Sequence, residues 1–206
     1  MRPFQTLRSI VAVAAVVAAL PASGFAATTT TIDFEGSNAP CCFVYTSPLS
    51  NAYAGLGVSF SGVGGTGGSI LNQSGGFGFN ARSGTDFLAF NSGVNGISGV
   101  EDITFSALQS AVSLWAANSN GGTISLTAFD RHGATVATST INSSSVWQQL
   151  SVSGLGIASV RVTPQVGVYA VDDLSFTGAV PEPEAYAMVF GGLAVLGMVA
   201  RRRKAV

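Results

Sequence analysis

Charge is scarce in this chain, and lysine is almost absent. Of 206 residues only nine are basic and ten acidic, and the single lysine is Lys204. Six of the basic residues sit at the two ends. Residues 27–180 keep Arg82, Arg131 and Arg161 against eight acids, a net charge of −5. A body that acidic has no electrostatic footprint for nucleic acid. There is one histidine, His132, beside Gly133 where a turn is expected. A Ser/His/Asp mechanism would have to use it, and a histidine at a turn tip is ordinarily just solvated. The only cysteines, Cys41 and Cys42, are adjacent. Their Cα atoms lie about 3.8 Å apart across a trans peptide, below the usual disulfide window of about 4.4–6.8 Å. The spacing excludes CxxC-type metal or redox chemistry. A strained vicinal disulfide, intermolecular pairing and reduced thiols all stay open.

What the chain does have is concentrated first at its ends. Arg2 and Arg8 form a basic n-region, and Ile10 to Leu20 is an apolar h-region that Pro21 breaks. Gly24 and Ala26 supply the small residues of a cleavage site. This pattern predicts a secretory signal peptide over residues 1–26, cut after Ala26. It addresses the chain to the Sec translocon and to signal peptidase.

At the other end, Val180, Pro181, Glu182 and Pro183 precede an uncharged run from Ala185 to Ala200. Arg201, Arg202, Arg203 and Lys204 follow it. As a helix that run spans roughly 24 Å at about 1.5 Å per residue. A bilayer core of about 30 Å wants about 20 residues, so a transmembrane helix over 185–200 is short. Snorkelling by the basic cluster or local thinning must make up the difference. The four cations favour the cytoplasmic side.

These three parts together resemble the PEP-CTERM sorting signal, the tag of exosortase substrates in Gram-negative bacteria. The resemblance covers residues 180–206. It implies export, passage through the inner membrane, processing near Val180–Pro183 by an exosortase-type enzyme, and delivery to the cell surface or an exopolysaccharide matrix. It implies nothing about the activity of the domain that the tag carries.

Residues 27–179 are long enough for one domain with a real core. Their apolar residues recur with a period of two, the signature of strands. Ile32 and Phe34 alternate with Asp33 and Glu35; Ile124, Leu126 and Ala128 alternate with Ser125 and Thr127. The last such run assigns Val168, Ala170, Asp172, Leu174 and Phe176 to one face. Asp130 to Gly133, Asn118 to Gly122 and Gly154 to Gly156 read as turns between strands. The aperiodic stretch from Gly62 to Gly78 reads as a long surface loop. Nine or ten short strands predict an all-β fold, an antiparallel β-sandwich of jelly-roll type, with the first and last strands paired.

Three groups of side chains stand out. Asp172 shares parity with apolar neighbours, which points it toward the core, and a buried unpaired carboxylate is costly. If the first and last strands are neighbours, Asp33, Glu35, Asp172 and Asp173 can converge, and hard oxygen ligands of that kind suit Ca²⁺. The passenger also resembles carbohydrate-binding jelly rolls, in "IDFEG" near its start and "VDDLSF" near its end, and many of those hold a structural calcium. The competing reading is an Asp172 hydrogen-bonded to backbone amides. Trp115 and Trp147 fall opposite the aliphatic residues of their strands and are candidates for stacking on sugars, as are Tyr45, Tyr53 and Tyr169, with Asn118, Asn120 and Gln149 as amide partners. Glu101 and Asp102 are neighbours on a strand and point to opposite faces, which does not suit paired-carboxylate hydrolysis. The expectation is an exported, non-catalytic surface or matrix protein that binds carbohydrate. The alternatives are a structural or adhesive matrix protein with no small ligand and, less favoured, a hydrolase.

Overall fold

A computed structural model describes residues 27–36, 39, 41, 49–62, 67–89, 99–165, 169–179 and 189–197. The signal segment, Val180 to Pro183 and the basic cluster lie outside them. The chain divides into two units, and the one spanning Ala26–Pro181 holds the described strands.

These strands are β1 (Thr29–Ile32), β2 (Val58–Gly62), β3 (Ser69–Asn72), β4 (Asp86–Ala89), β5 (Glu101–Asn118), β6 (Gly122–Phe129), β7 (Thr135–Ser143), β8 (Gln148–Pro164) and β9 (Tyr169–Gly178). Every pairing is antiparallel. The ladder runs β3-β4-β9-β5-β8-β6-β7, with β1 added to β9 and β2 to β5. β3, within the stretch expected to be loop, is the exception to the strand pattern read from the sequence.

Two strands are far longer than expected, and they make the sandwich. β5 has 18 residues and β8 has 17. The first half of β5, Glu101 to Thr104, pairs with β2 and with the end of β8; its second half pairs with β9 and with the start of β8. Register breaks on either side of Gln109 mark the bend. On β8 the matching bend falls at Gly154 to Gly156, which lies inside one strand and is not a turn between two. Gly156 has φ +77°, and a Cβ on Gly154 would sit 2.4 Å from Val136 Cγ1. Strands that switch layers through bulges are how a folded-over sheet makes its corners.

The result is a jelly-roll-like antiparallel β-sandwich. One layer holds β3, β4, β1, β9, the second half of β5 and the first half of β8. The other holds β2, the first half of β5, the second half of β8, β6 and β7. Between them lies the main core, including Phe34, Phe60, Ile103, Leu114, Leu126, Leu150, Val160 and Leu174. Phe34, Tyr53 and Phe60 meet edge to face at 5.9–6.3 Å. At about 25 cal/mol per Å², burying side chains of this size is the main stabilising term.

A second apolar cluster lies on the outside of the first layer. Leu71, Phe87, Ala89 and Ala170 are buried there, with Phe77, Phe79, Ala81 and Trp147 packed on them. The β3–β4 connection supplies this cover: it leaves Asn72, makes a short 3-10 turn at Gln73–Gly75, and folds back over the sheet.

Residues 189–197 are helical, with Val189, Phe190, Leu193, Val195 and Leu196 exposed. Among the described residues no helix is long and apolar enough to cross a membrane.

Candidate functional site

The acids of the first and last strands do become neighbours of one loop, by a route the period-two pattern hides. β1 pairs with β9, Thr31 opposite Ser175 and Ile32 opposite Leu174. Between Ser113 and Trp115 of β5, however, β9 advances from Ser175 to Asp172, one residue too many. That is a β-bulge, and Asp173 sits in it with φ +46°. An inserted residue reverses which face each later side chain takes. Tyr169 and Val171 therefore join the main core, while Ala170 joins the outer cluster. Asp172 is turned away from the sandwich core, against expectation, and lies under the β3–β4 loop.

There it is fully buried and well bonded. Its Oδ2 accepts from the backbone N–H of Arg82 at 2.9 Å and of Ser83 at 3.2 Å, and its Oδ1 from the N–H of Asp173 at 2.8 Å. Burial nevertheless pushes its pKa up to about 7, against the lowering effect of the amides of Ser83, Asp173 and Arg82. Asp173 pairs with the Arg82 guanidinium and accepts the Ser83 hydroxyl at 2.8 Å.

Glu35 holds the next stretch of the same loop. Phe34 takes φ +60°, which sends its ring into the core and Glu35 toward the loop. Glu35 Oε1 accepts from the amides of Thr85 at 2.9 Å and Asp86 at 2.6 Å. Asp33 turns back on its own strand end, its Oδ1 accepting from Glu35 N–H at 3.2 Å.

The donor set does not fit a cation. Asp172 spends both oxygens on backbone N–H groups, Glu35 spends Oε1 on two backbone N–H groups with Oε2 facing the Thr85 hydroxyl at 3.5 Å, and Asp173 spends one oxygen on an arginine. Among the described residues no three His, Cys, Asp or Glu side chains are grouped to hold a metal ion. Of the four acids expected to form a calcium site, Glu35, Asp172 and Asp173 hold the Arg82–Asp86 loop, and Asp33 caps its own strand end.

The β3–β4 connection packs against both tryptophans, and each is half-buried. The Arg82 guanidinium lies 4.0 Å from the centroid of the Trp115 ring. Trp147 is half-buried, and its Nε1–H donates to the Asn80 carbonyl at 2.8 Å. Its ring meets Phe79 at 5.3 Å and Phe87 at 6.3 Å, and Phe77 meets Phe87 at 5.4 Å. Beside this aromatic network runs a groove of about 230 Å³ lined by Phe77, Phe79, Phe87, Ser119 and Tyr169. Phe77 and Phe79 escaped the sequence reading because they fall at the end of the aperiodic Gly-rich stretch and just past it.

The remaining candidates are placed elsewhere. Tyr53 packs against the core, Tyr169 is fully buried, and Tyr45 lies outside the described residues. Asn118 is buried and its Oδ1 accepts from Asn120 N–H at 2.8 Å, holding the β5–β6 turn. His132 is exposed in the Asp130–Gly133 turn, as expected. Cys41 is disulfide-bonded, and Cys42 lies outside the described residues.

One acid was undervalued. Glu101 points inward, only 2% exposed, and its Oε1 has no hydrogen-bond partner. Burial, and then the charge of Asp102, pushes its pKa up to about 9. Asp102 points outward and binds Arg161 in a two-pronged pair, 2.7 Å to Nε and 2.9 Å to Nη2.

Residues 179–204 match the family of the PEP-CTERM protein-sorting motif. The chain thus carries a sorting signal, which implies export and processing by an exosortase-type enzyme. No curated protein matches the chain. Similar solved structures include a CBM29-2 mutant complexed with mannohexaose, at 14% identity and TM-score 0.37, covering 74% of this chain and 93% of that one. CsCBM6-3 from Clostridium stercorarium in complex with cellobiose is similar at 16% identity and TM-score 0.31, over 49% and 80%. The CBM22-1 and GH10 modules of a Clostridium thermocellum endo-1,4-beta-D-xylanase follow at 12% identity and TM-score 0.36, over 60% of this chain and 25% of that one. The chain thus spans a quarter of the xylanase structure. At these TM-scores the likeness carries no argument, and the fold rests on the strand pairing itself.

Proposed function

We propose that this is an exported, non-catalytic protein of the bacterial surface or exopolysaccharide matrix, and that its β-sandwich binds polysaccharide. The observation that carries the binding reading is the groove beside Phe77, Phe79 and Phe87. Aromatic rings pack on the apolar faces of sugars, and a hydroxyl such as that of Ser119 satisfies a sugar hydroxyl. The face is outside the sandwich core, where a long chain can lie across it. Glu101 and Asp102, on opposite sides of β5, favour binding over hydrolysis.

Glycan-array binding by the domain of residues 27–179 tests the reading. Binding is expected to be lost in Phe77→Ala and in Ser119→Trp, which fills the groove. Unchanged binding in a folded Ser119→Trp protein would overturn the groove as the site. Turnover of any glycoside would overturn the non-catalytic reading.

A structural or adhesive role has its own support. Thr31, Ser175, Ser113 and Ser151 stand in register across β1, β9, β5 and β8 and face outward. Thr31 bonds Ser175 at 2.7 Å, and Thr29 bonds Thr177 at 2.8 Å in the next row. Such an uncharged hydroxyl face suits packing within a matrix. Retention of the protein in isolated matrix without glycan binding would favour this second role.

A further inference from the structure

The last described residues before the sorting motif are held at one corner of the sandwich. Gly178 N–H donates to Thr28 O at 3.1 Å, and Ala179 N–H donates to Leu108 O at 2.9 Å. β9 lies inside its layer, between β1 and β4 on one side and β5 on the other. The chain is therefore held in the fold through Ala179, and Pro181 comes two residues later. An extended residue spans at most about 3.6 Å, so Pro183 is within about 14 Å of Ala179. An enzyme that reads Pro181, Glu182 and Pro183 must come within that reach of the corner.

The same corner collects exposed apolar side chains. The bends of β5 and β8 meet there, with Gln109 paired to both Ile157 and Gly178. Leu155, in the β8 bend, is 73% exposed. Leu56, 50% exposed, ends a 3-10 turn whose following residue, Gly57, receives the Ser106 N–H at 2.9 Å just before the β5 bend. Val146, the other large apolar side chain exposed among the described residues of the sandwich, lies at the opposite end beside the β5–β6 turn. The segments forming the corner carry no charge, and the nearby β6–β7 turn bears one acid and one base, Asp130 and Arg131.

We infer that this corner, with Leu155 in the β8 bend and Leu56 in the 3-10 turn beside the β5 bend, is a docking surface for the exosortase-type processing enzyme. The inference rests on the reading of the tail as a processed sorting signal. Recognition then has two parts, a peptide read in sequence and a folded edge next to it. The surface adds affinity only because the tether between them is short.

The test is the rate at which the full-length precursor is converted to its mature form in the native bacterium, followed by immunoblot. Leu155→Ser and the double variant with Leu56→Ser are expected to slow conversion by roughly tenfold, the cost of one or two leucines lost from an interface. Val146→Ser, with the same loss of an exposed apolar side chain, leaves it unchanged. Six Gly/Ser residues inserted between Ala179 and Val180 uncouple edge from motif, so wild type and Leu155→Ser are then converted equally slowly. Thermal melts of the purified domain establish that each variant folds. Conversion at the wild-type rate in a folded Leu56/Leu155 double variant overturns the inference. So does slowing that is matched by lost binding of the isolated domain to anionic lipid vesicles, which would make the corner a lipid contact. Replacing Pro181–Pro183 by alanines is the separate control: if conversion continues, it is the reading of the tail that fails.

Discussion

Glu35 and Gly84 share one space. A Cβ on Gly84 would lie 2.2 Å from the Glu35 carboxyl carbon, and Gly84 itself has φ +55°. The approach lets Glu35 reach the amides of Thr85 and Asp86, and so ties the end of β1 to the start of β4. Gly84→Ala meets both a left-handed backbone and a clash. It is expected to cost about 2 kcal/mol, the sum of a strained alanine and a weakened carboxylate anchor. In a domain of this size that lowers the Tm by about 4–8 °C, read by calorimetry.

The pH dependence of stability follows from two buried acids. Glu101 has a folded pKa of about 9 against 4.5 for a free side chain, and Asp172 about 7 against 3.8. Each keeps its proton in the folded state while the unfolded chain ionises. Stability is therefore full below the free values and falls as pH rises toward the folded ones. Each such group loses about 1.4 kcal/mol per pH unit within its window. Between pH 7 and 9 the decline belongs to Glu101, so Glu101→Gln is expected to flatten the Tm-versus-pH curve there. Denaturant titrations at pH 6, 7, 8 and 9 measure it, and an equal slope in variant and wild type would refute the assignment.

Arg82 is expected to matter more to the loop than to the fold. Its pair with Asp173 is partly exposed and so adds little stability. Its guanidinium shields Trp115. Arg82→Ala should change the Tm by under about 1 kcal/mol equivalent while raising acrylamide quenching of tryptophan fluorescence.

Calcium should leave this domain unmoved. The carboxylates of Glu35 and Asp172 already have their hydrogen-bond partners, and an added ion would have to strip them away. Melts with excess calcium and with chelator are expected to coincide. A rise of several degrees with calcium would show that the anchor geometry rearranges around an ion.

Much of the fold was legible because strand periodicity is local. Ile124, Leu126 and Ala128 announce β6 by alternation alone, and the pairing of the first and last strands was suggested by the acids that both carry. The same reasoning failed at Asp172, since a bulge leaves no mark in one strand's own pattern and exists only against the register of β5. It failed again at Gly154 to Gly156, where glycines bend one long strand instead of ending it. Phe77 and Phe79 sit beside glycines, so no periodicity flagged them, and their partners are Phe87 in the next strand and the distant Trp147 just before β8.

The sequence by itself determined the sorting signal and most of the strand content of this protein. A sorting motif is a run of consecutive residues, and alternation is imposed residue by residue, so both are local properties. The tertiary structure alone decided that Asp172 faces an outer loop, that Glu101 is sealed inside, and that Glu35, Asp172 and Asp173 hold a loop whose Arg82 covers Trp115. Each of those depends on which backbone amides and which apolar layers arrive from segments far away in the chain. Only folding settles such meetings, because burial and hydrogen bonding are properties of neighbours in space.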